Sequence, residues 1–232
     1  EDGPGRVNHQ AADRLFALAK HHQVPAVLHI STTDVYGDNP DRHISEKTPV
    51  NPRTAYGRSK WKAEQALLRQ YSGQPDSPRY AIFRLAPVYS PDLPDPVYRR
   101  IYLLRRPPIA YRLKKGRSAP QFLSAALLVQ AILHYLASPP GTIPDGVYLL
   151  ADPEPTTLAD YIAYEQYQHG LRIVLPLPVG PLRLLLRLME TVSHWAGNPE
   201  PYYSTRNLDL LLDPPHYDVR KGKQYLKLGN TD

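Results

Sequence analysis

Tyr56 and Lys60 stand four residues apart in the run Thr54-Ala-Tyr-Gly-Arg-Ser-Lys60. On a helix this spacing puts both side chains on one face. An ammonium beside a phenol makes a proton donor and acceptor that can work near neutral pH. An unperturbed tyrosine has a pKa of about 10, so bringing it near 7 takes roughly 4 kcal/mol. One positive charge at about 4 Å supplies that much at an intermediate dielectric. Spacing alone does not select the pair, however. With 17 tyrosines and 9 lysines in 232 residues, chance gives about 0.7 such pairs. The chain holds three: Tyr56/Lys60, Tyr111/Lys115 and Tyr217/Lys221.

Only the first pair has supporting context, upstream in Ser31-Thr-Thr-Asp-Val-Tyr-Gly37. Asn8 to His22 has apolar residues at Ala11, Leu15, Leu18 and Ala19, a helical period. Ala26 to Ile30 is a short apolar run suited to a buried parallel strand. A polar loop with Pro40, Pro49 and Pro52 follows, and helix returns from Thr54, a candidate N-cap, to Tyr71. Tyr80 to Leu85 is the next strand. Helix, strand, loop, helix, strand is the rhythm of a doubly wound α/β fold. In such a sheet reacting groups gather at the carboxyl ends of strands. Ser31, Thr32 and Thr33 would stand there, with Tyr56 opening the helix after the next loop. A strand-end hydroxyl can bond a substrate oxygen while the tyrosine exchanges its proton. The simpler reading of Ser31-Thr-Thr is a loop that satisfies its own backbone.

Beyond Pro91 prolines cluster at 91, 94, 96, 107 and 108, which divides the chain into residues 1–91 and 92–232. The second part is expected to hold a strand over 109–113, a helix over 121–137, a strand over 146–150 and helices over 156–169 and 181–196. Residues 202–228 have weak periodicity and receive no assignment.

Hydrophobic content of 42% and charged content of 22% are those of a globular chain. No cysteine is present, which removes disulfides and thiolate metal sites and fits a reducing, cytoplasmic setting. No metal-ligand pattern stands out. The net charge of +6 is scattered, and its densest part, from Arg99-Arg100 to Arg117, suits an anionic small substrate better than nucleic acid, since no nucleic-acid recognition motif accompanies it. No apolar run reaches the ~18 residues of a spanning helix. Val179 to Trp195 carries Arg183, Arg187 and Glu190 and reads as an amphipathic helix. The chain starts at Glu1 and its one methionine is Met189, so it is expected to be processed or a piece of something longer.

Taken together, Asn8 on a helix, His29-Ile-Ser-Thr-Thr-Asp-Val-Tyr-Gly37, Tyr56-Gly-Arg-Ser-Lys60 and Arg84-Leu-Ala-Pro-Val-Tyr89 resemble the extended short-chain dehydrogenase/reductase family. This is the group of NAD(P)-dependent nucleotide-sugar epimerases and dehydratases. The resemblance implies a partial doubly wound, Rossmann-like parallel sheet over 1–91, the later part of a dinucleotide-binding domain, and a smaller α/β substrate-binding region over 92–232. It implies Tyr56 as catalytic base and acid, Lys60 as its ribose-binding partner, and Thr32 as the hydroxyl that polarises substrate. Ser31 and Thr33 flank that position. Asn8 would open its helix and support the active site, or simply cap the helix. Ala86 and Val88 would contact the nicotinamide end of NAD or NADP through backbone. Thr33 and Pro87 would face substrate, and Pro87 departs from the asparagine often found there. Thr33-Asp34 replaces the Asp-Glu pair of many dehydratases, which favours epimerisation or reduction over dehydration. A homodimer through the helices at 8–22 and 54–71 is also implied.

Two departures from the family pattern stand out. The Gly-rich turn that cradles the dinucleotide pyrophosphate has no counterpart here, and Gly3-Pro-Gly5 does not replace it. At least two β-α units, roughly 60 residues or more, would have to precede Glu1 to complete the sheet. Gln121 to Leu128 also lacks the aspartate-bearing segment usual in the family. Two readings follow: an epimerase or reductase acting on a nucleotide-sugar, and a non-catalytic remnant of the fold that binds or scaffolds.

Overall fold

The computed structural model describes residues 4–74, 77–90, 103–105, 108–113, 118–169, 173–198, 201 and 203–229. In chain order the elements are α1 (Pro4–His21), β1 (Ala26–Thr32), a 3-10 turn (Thr33–Tyr36), β2 (His43–Ile44), α2 (Ala55–Tyr71), β3 (Arg79–Leu85), β4 (Val88–Tyr89), β5 (Leu103–Arg105) and β6 (Pro108–Arg112). They continue as β7 (Leu123–Ser124), α3 (Ala125–Ala137), β8 (Gly146–Leu150), α4 (Leu158–His169), β9 (Ile173–Pro176), α5 (Val179–Trp195), α6 (Thr205–Leu212), β10 (His216–Tyr217) and α7 (Arg220–Leu226). The chain forms two compact units, one of residues 1–88, 123–153 and 217–232, the other of 89–122 and 154–216. The proline-rich stretch after Pro91 thus follows the first passage between them, and the chain returns to the first unit twice.

The first unit is built on a parallel sheet in the order β1-β3-β8. Alternation along β3 explains its two covered faces. Tyr80 and Ile82 pack with Phe16 of α1 and with Ala66, Leu67 and Tyr71 of α2. Ala81, Phe83 and Leu85 enter a second core with Tyr135 of α3 and with Tyr148 and Leu149 of β8. The outer edge of β8 is occupied by side chains. Glu46 accepts the Leu149 amide at 3.1 Å, and Lys221 donates to the Val147 carbonyl at 2.7 Å while lying 4.2 Å over the Tyr148 ring.

The second unit has β5 antiparallel and β9 parallel to β6. Ala110, Leu113, Leu158, Ile162, Leu186 and Leu208 are among its core residues. Arg183 on α5 grips Asp209 on α6 with two hydrogen bonds, at 3.0 and 2.6 Å. Thr157 caps α4 by accepting the Asp160 amide at 3.1 Å. Among the described residues no helix is long and apolar enough to cross a membrane.

Two expectations need correction at element level. α1 begins at Pro4, a residue suited to the first helical turn, so Asn8 lies inside the helix and neither opens nor caps it. α3 begins at Ala125, not 121, because the Ser124 hydroxyl accepts the Ala126 amide and caps it there. The basic stretch at 99–117 falls largely outside the described residues.

Candidate active site

Of the three tyrosine–lysine pairs, one lies within a single helix. Tyr56 and Lys60 both belong to α2. Tyr217 is on β10 and Lys221 on α7, while Tyr111 is on strand β6 and Lys115 lies outside the described residues.

α2 starts where it does because Thr54 caps it. Extended backbone at Thr54 lets its hydroxyl oxygen accept the Gly57 amide at 2.9 Å. The same hydroxyl donates to the Asp34 carboxylate, joining the 3-10 turn to the helix start. Gly57 allows this approach, since a Cβ there would sit 2.9 Å from the Asp34 carbonyl oxygen. Gly37 ends the turn with φ +62°, and a Cβ there would come within 1.9 Å of the Asn51 carbonyl oxygen. Only glycine fits both the dihedral and the space.

Lys60 donates to the Ile30 carbonyl at 3.0 Å, two residues before Thr32. Its nitrogen lies 5.7 Å from the Tyr56 ring centroid. These contacts bring Tyr56 and Lys60 to the carboxyl end of β1. Burial lowers the Lys60 pKa. Tyr56 is 51% exposed, yet its pKa is held above the ordinary value, first by lost solvation of the phenol and then by the Asp34 carboxylate. The expected lowering by Lys60 is therefore not what this arrangement produces. The ammonium is turned to a backbone carbonyl, and the charge that acts on the phenol is negative.

The three strand-end hydroxyls have different partners. Ser31 is buried and donates to the Glu64 carboxylate. Thr33 is buried and accepts from the Tyr217 hydroxyl at 3.3 Å. Thr32 is half-buried, and its oxygen accepts the Asp34 amide at 3.2 Å, an acceptor role that keeps its own proton available to donate. At the end of β3, the buried Ala86 gives its amide to the Leu150 carbonyl at 2.9 Å, and the Pro87 carbonyl accepts from Leu123 at 3.0 Å. Val88 follows in β4, half-buried. The structure thus gathers Thr32, Tyr56 and Lys60 and turns Ser31 and Thr33 inward. The side chain of Asn8 lies outside the described residues.

Sequence reasoning missed a buried ion pair beneath these groups. Arg84 and Glu64 are 3% and 0% exposed, with Nη2 and Oε2 2.7 Å apart. Arg84 Nε also reaches both carboxylate oxygens, at 3.1 and 3.2 Å, and Nη1 donates to the Tyr36 hydroxyl at 2.9 Å. The Arg84 pKa is raised: burial lowers it, but the hydrogen bonds and charge of Glu64 outweigh that. A signal was present: Arg84 is a charge embedded in the apolar run that follows Arg79, and such a charge needs a partner. His29 on β1 is a second buried polar group. Its ring lies 5.6 Å edge-on to Phe16, and Nε2 has no hydrogen-bond partner among the described residues. Burial first, and the Lys60 charge second, push its pKa down from 6.5 to about 4. No group of three or more potential metal ligands occurs among the described residues.

The fold has solved counterparts. MoeE5 in complex with UDP-glucose and NAD is 20% identical, with a TM-score of 0.65, over 96% of this chain and 65% of that one. UDP-glucuronic acid 4-epimerase from Bacillus cereus in complex with NAD is 17% identical, with a TM-score of 0.65, over 97% and 62%. TunA, an NAD dependent NDP-hexosamine 5,6-dehydratase involved in tunicamycin biosynthesis, is 21% identical, with a TM-score of 0.65, over 96% and 64%. The chain therefore spans less than two thirds of each of these proteins, and at such identities the likeness is one of fold. No curated protein matches the chain. The pattern of the NAD dependent epimerase/dehydratase family matches residues 4–150, more than half of the chain, and the chain belongs to that family.

Proposed function

We propose that this chain carries the catalytic part of an NAD(P)-dependent enzyme that epimerises or reduces a nucleotide-sugar. The observation that carries the reading is the placement of Tyr56 and Lys60, through the Lys60–Ile30 contact, at the strand end that bears Thr32. Family membership supports the cofactor, and similar folds have been solved with NAD and UDP-glucose. NAD(P), when bound, supplies a two-electron hydride acceptor and donor. Lys60 spends one of its three ammonium donors on Ile30 and keeps two for ribose hydroxyls. Thr32 donates its proton to the substrate oxygen that gains charge. Tyr56 takes a proton from a sugar hydroxyl, or gives one to a carbonyl, at its phenolic oxygen. Ala86 and Val88, past the end of β3, would contact the nicotinamide end of the cofactor through backbone, and Pro87 between them would face substrate. In this reading residues 1–91 belong to the dinucleotide-binding domain, and substrate binding falls to the second unit's share of 92–232, since 123–153 and 217–232 return to the first unit. A homodimer through α1 and α2 is part of it, and the exposed Leu15 and Leu18 on α1 support that face as the contact.

A second reading, a non-catalytic binding protein of the same fold, draws on the raised Tyr56 pKa, which opposes its work as a base near neutral pH. Calorimetric titration of the full-length protein with NAD and NADP, followed by turnover of UDP-sugars, separates the two. The catalytic reading expects binding, and expects Tyr56→Phe to abolish turnover while sparing cofactor affinity. No binding at millimolar cofactor, or unchanged turnover in Tyr56→Phe, would refute it.

A further inference from the structure

Ser31 and Arg84 are register partners on the parallel strands β1 and β3, and both bind the carboxylate of Glu64. Glu64 extends the α2 stripe begun by Tyr56 and Lys60, at successive intervals of four residues. The second arm of Arg84 holds the Tyr36 hydroxyl, which ends the turn containing Asp34, and its guanidinium lies 4.9 Å from the Tyr36 ring centroid and 5.6 Å from that of Trp61 on α2. One buried ion pair thus joins the strand that carries Thr32, the turn that carries Asp34, the helix that carries Tyr56 and Lys60, and the strand that leads to Ala86.

We infer that Glu64 and Arg84 are positioning residues for this site: the charged, forked geometry of the pair, and not the volume it fills, sets where Tyr56 and Lys60 stand relative to Thr32. The inference rests on the catalytic reading above for its kinetic consequence, but not for its structural one. Desolvation offsets most of the attraction in a buried ion pair, so an apolar pair of similar size is compatible with a stable fold. An apolar pair supplies no direction. The planar guanidinium fixes the carboxylate in distance and angle, and Ser31 loses its acceptor when that carboxylate is gone. Catalytic geometry is far less tolerant than stability, since a displacement of about 1 Å can cost on the order of 100-fold in rate.

The test uses the full-length protein with the double substitution Glu64→Leu/Arg84→Met, together with Arg84→Lys, which keeps the charge and loses the fork. Thermal unfolding reports the fold, kcat and KM report the reaction, and the 13Cζ titration of Tyr56, assigned through Tyr56→Phe, reports its surroundings without cofactor or turnover. The double variant is expected to melt within about 5 °C of the parent and to show a displaced Tyr56 titration. Its kcat should fall roughly 100-fold with KM little changed. Arg84→Lys should show the same displacement, with a smaller loss of kcat. A double variant that melts like the parent and keeps its Tyr56 titration and kcat overturns the inference. If the double variant does not fold, Arg84→Lys decides: an unchanged Tyr56 titration and kcat overturn the inference as well. If the parent itself shows no Tyr56-dependent turnover, the functional reading fails, and the titration alone decides the positioning role.

Discussion

The Asp34 carbonyl oxygen lies so close to Gly57 that a Cβ on the glycine would stand 2.9 Å from it, with Asp34 Oδ2 and Thr54 Oγ1 each at 3.1 Å. The turn after β1 and the first turn of α2 therefore meet through a gap only glycine leaves open.

Gly57→Ala is accordingly expected to destabilise the fold by about 1–3 kcal/mol, because the obstacle is backbone and not a flexible side-chain tip. The gain from alanine's better helix propensity, about 1 kcal/mol, does not offset this. Gly180, on α5, has nothing within 4 Å of a built Cβ and no positive φ, so Gly180→Ala is expected to be neutral or to stabilise by about 0.5–1 kcal/mol. Paired thermal melts test the contrast, and equal melting shifts for the two variants would contradict the packing argument.

Asp34 also acts on the proton of Tyr56. Its carboxylate is the second cause of the raised Tyr56 pKa, after burial. Asp34→Asn removes the charge and should lower the Tyr56 pKa, since phenolate no longer forms beside a negative group. A 13Cζ tyrosine titration of both proteins measures it. A Tyr56 titration that stays put would leave burial as the sole cause, and one that moves upward would reverse the sign assigned to Asp34.

His29 makes stability depend on pH. Its pKa is pushed down from 6.5 to about 4, first by burial and then by Lys60. Between those values the unfolded chain binds a proton that the folded chain refuses. Stability is therefore complete above about pH 6.5, falls as pH drops toward 4, and levels off below that for this group. The full effect is at most about 3 kcal/mol. Urea unfolding from pH 7 to pH 4 should show this decline, and His29→Phe should flatten it. An equal slope in the variant would assign the acid sensitivity to other groups.

The local grammar of the fold was legible in the sequence. Thr54 was readable as an N-cap because a side-chain oxygen just before a helical period satisfies that helix's own amides. The parallel strands were legible at Ala26 and Tyr80 because buried parallel strands are continuous apolar runs. Long-range pairing was not legible. Glu64 lies 33 residues from Ser31 and 20 from Arg84, and no periodicity announces which charges share a core. Strand β9 and helices α6 and α7 also escaped notice, being short elements whose order comes from tertiary packing and not from propensity. The Tyr56 environment escaped for a related reason: spacing places Lys60 on the same face, but only the fold shows its ammonium turned to Ile30.

Glu46 and Lys221 have a consequence for how the sheet can be extended. By occupying the Leu149 amide and the Val147 carbonyl, they shut the β8 border to any incoming strand, as a polar guard against edge-to-edge association does. The sheet is thereby made directional. Its growth is barred on one side, and β1, which among the described residues pairs only with β3, is left as the border along which further backbone can be laid.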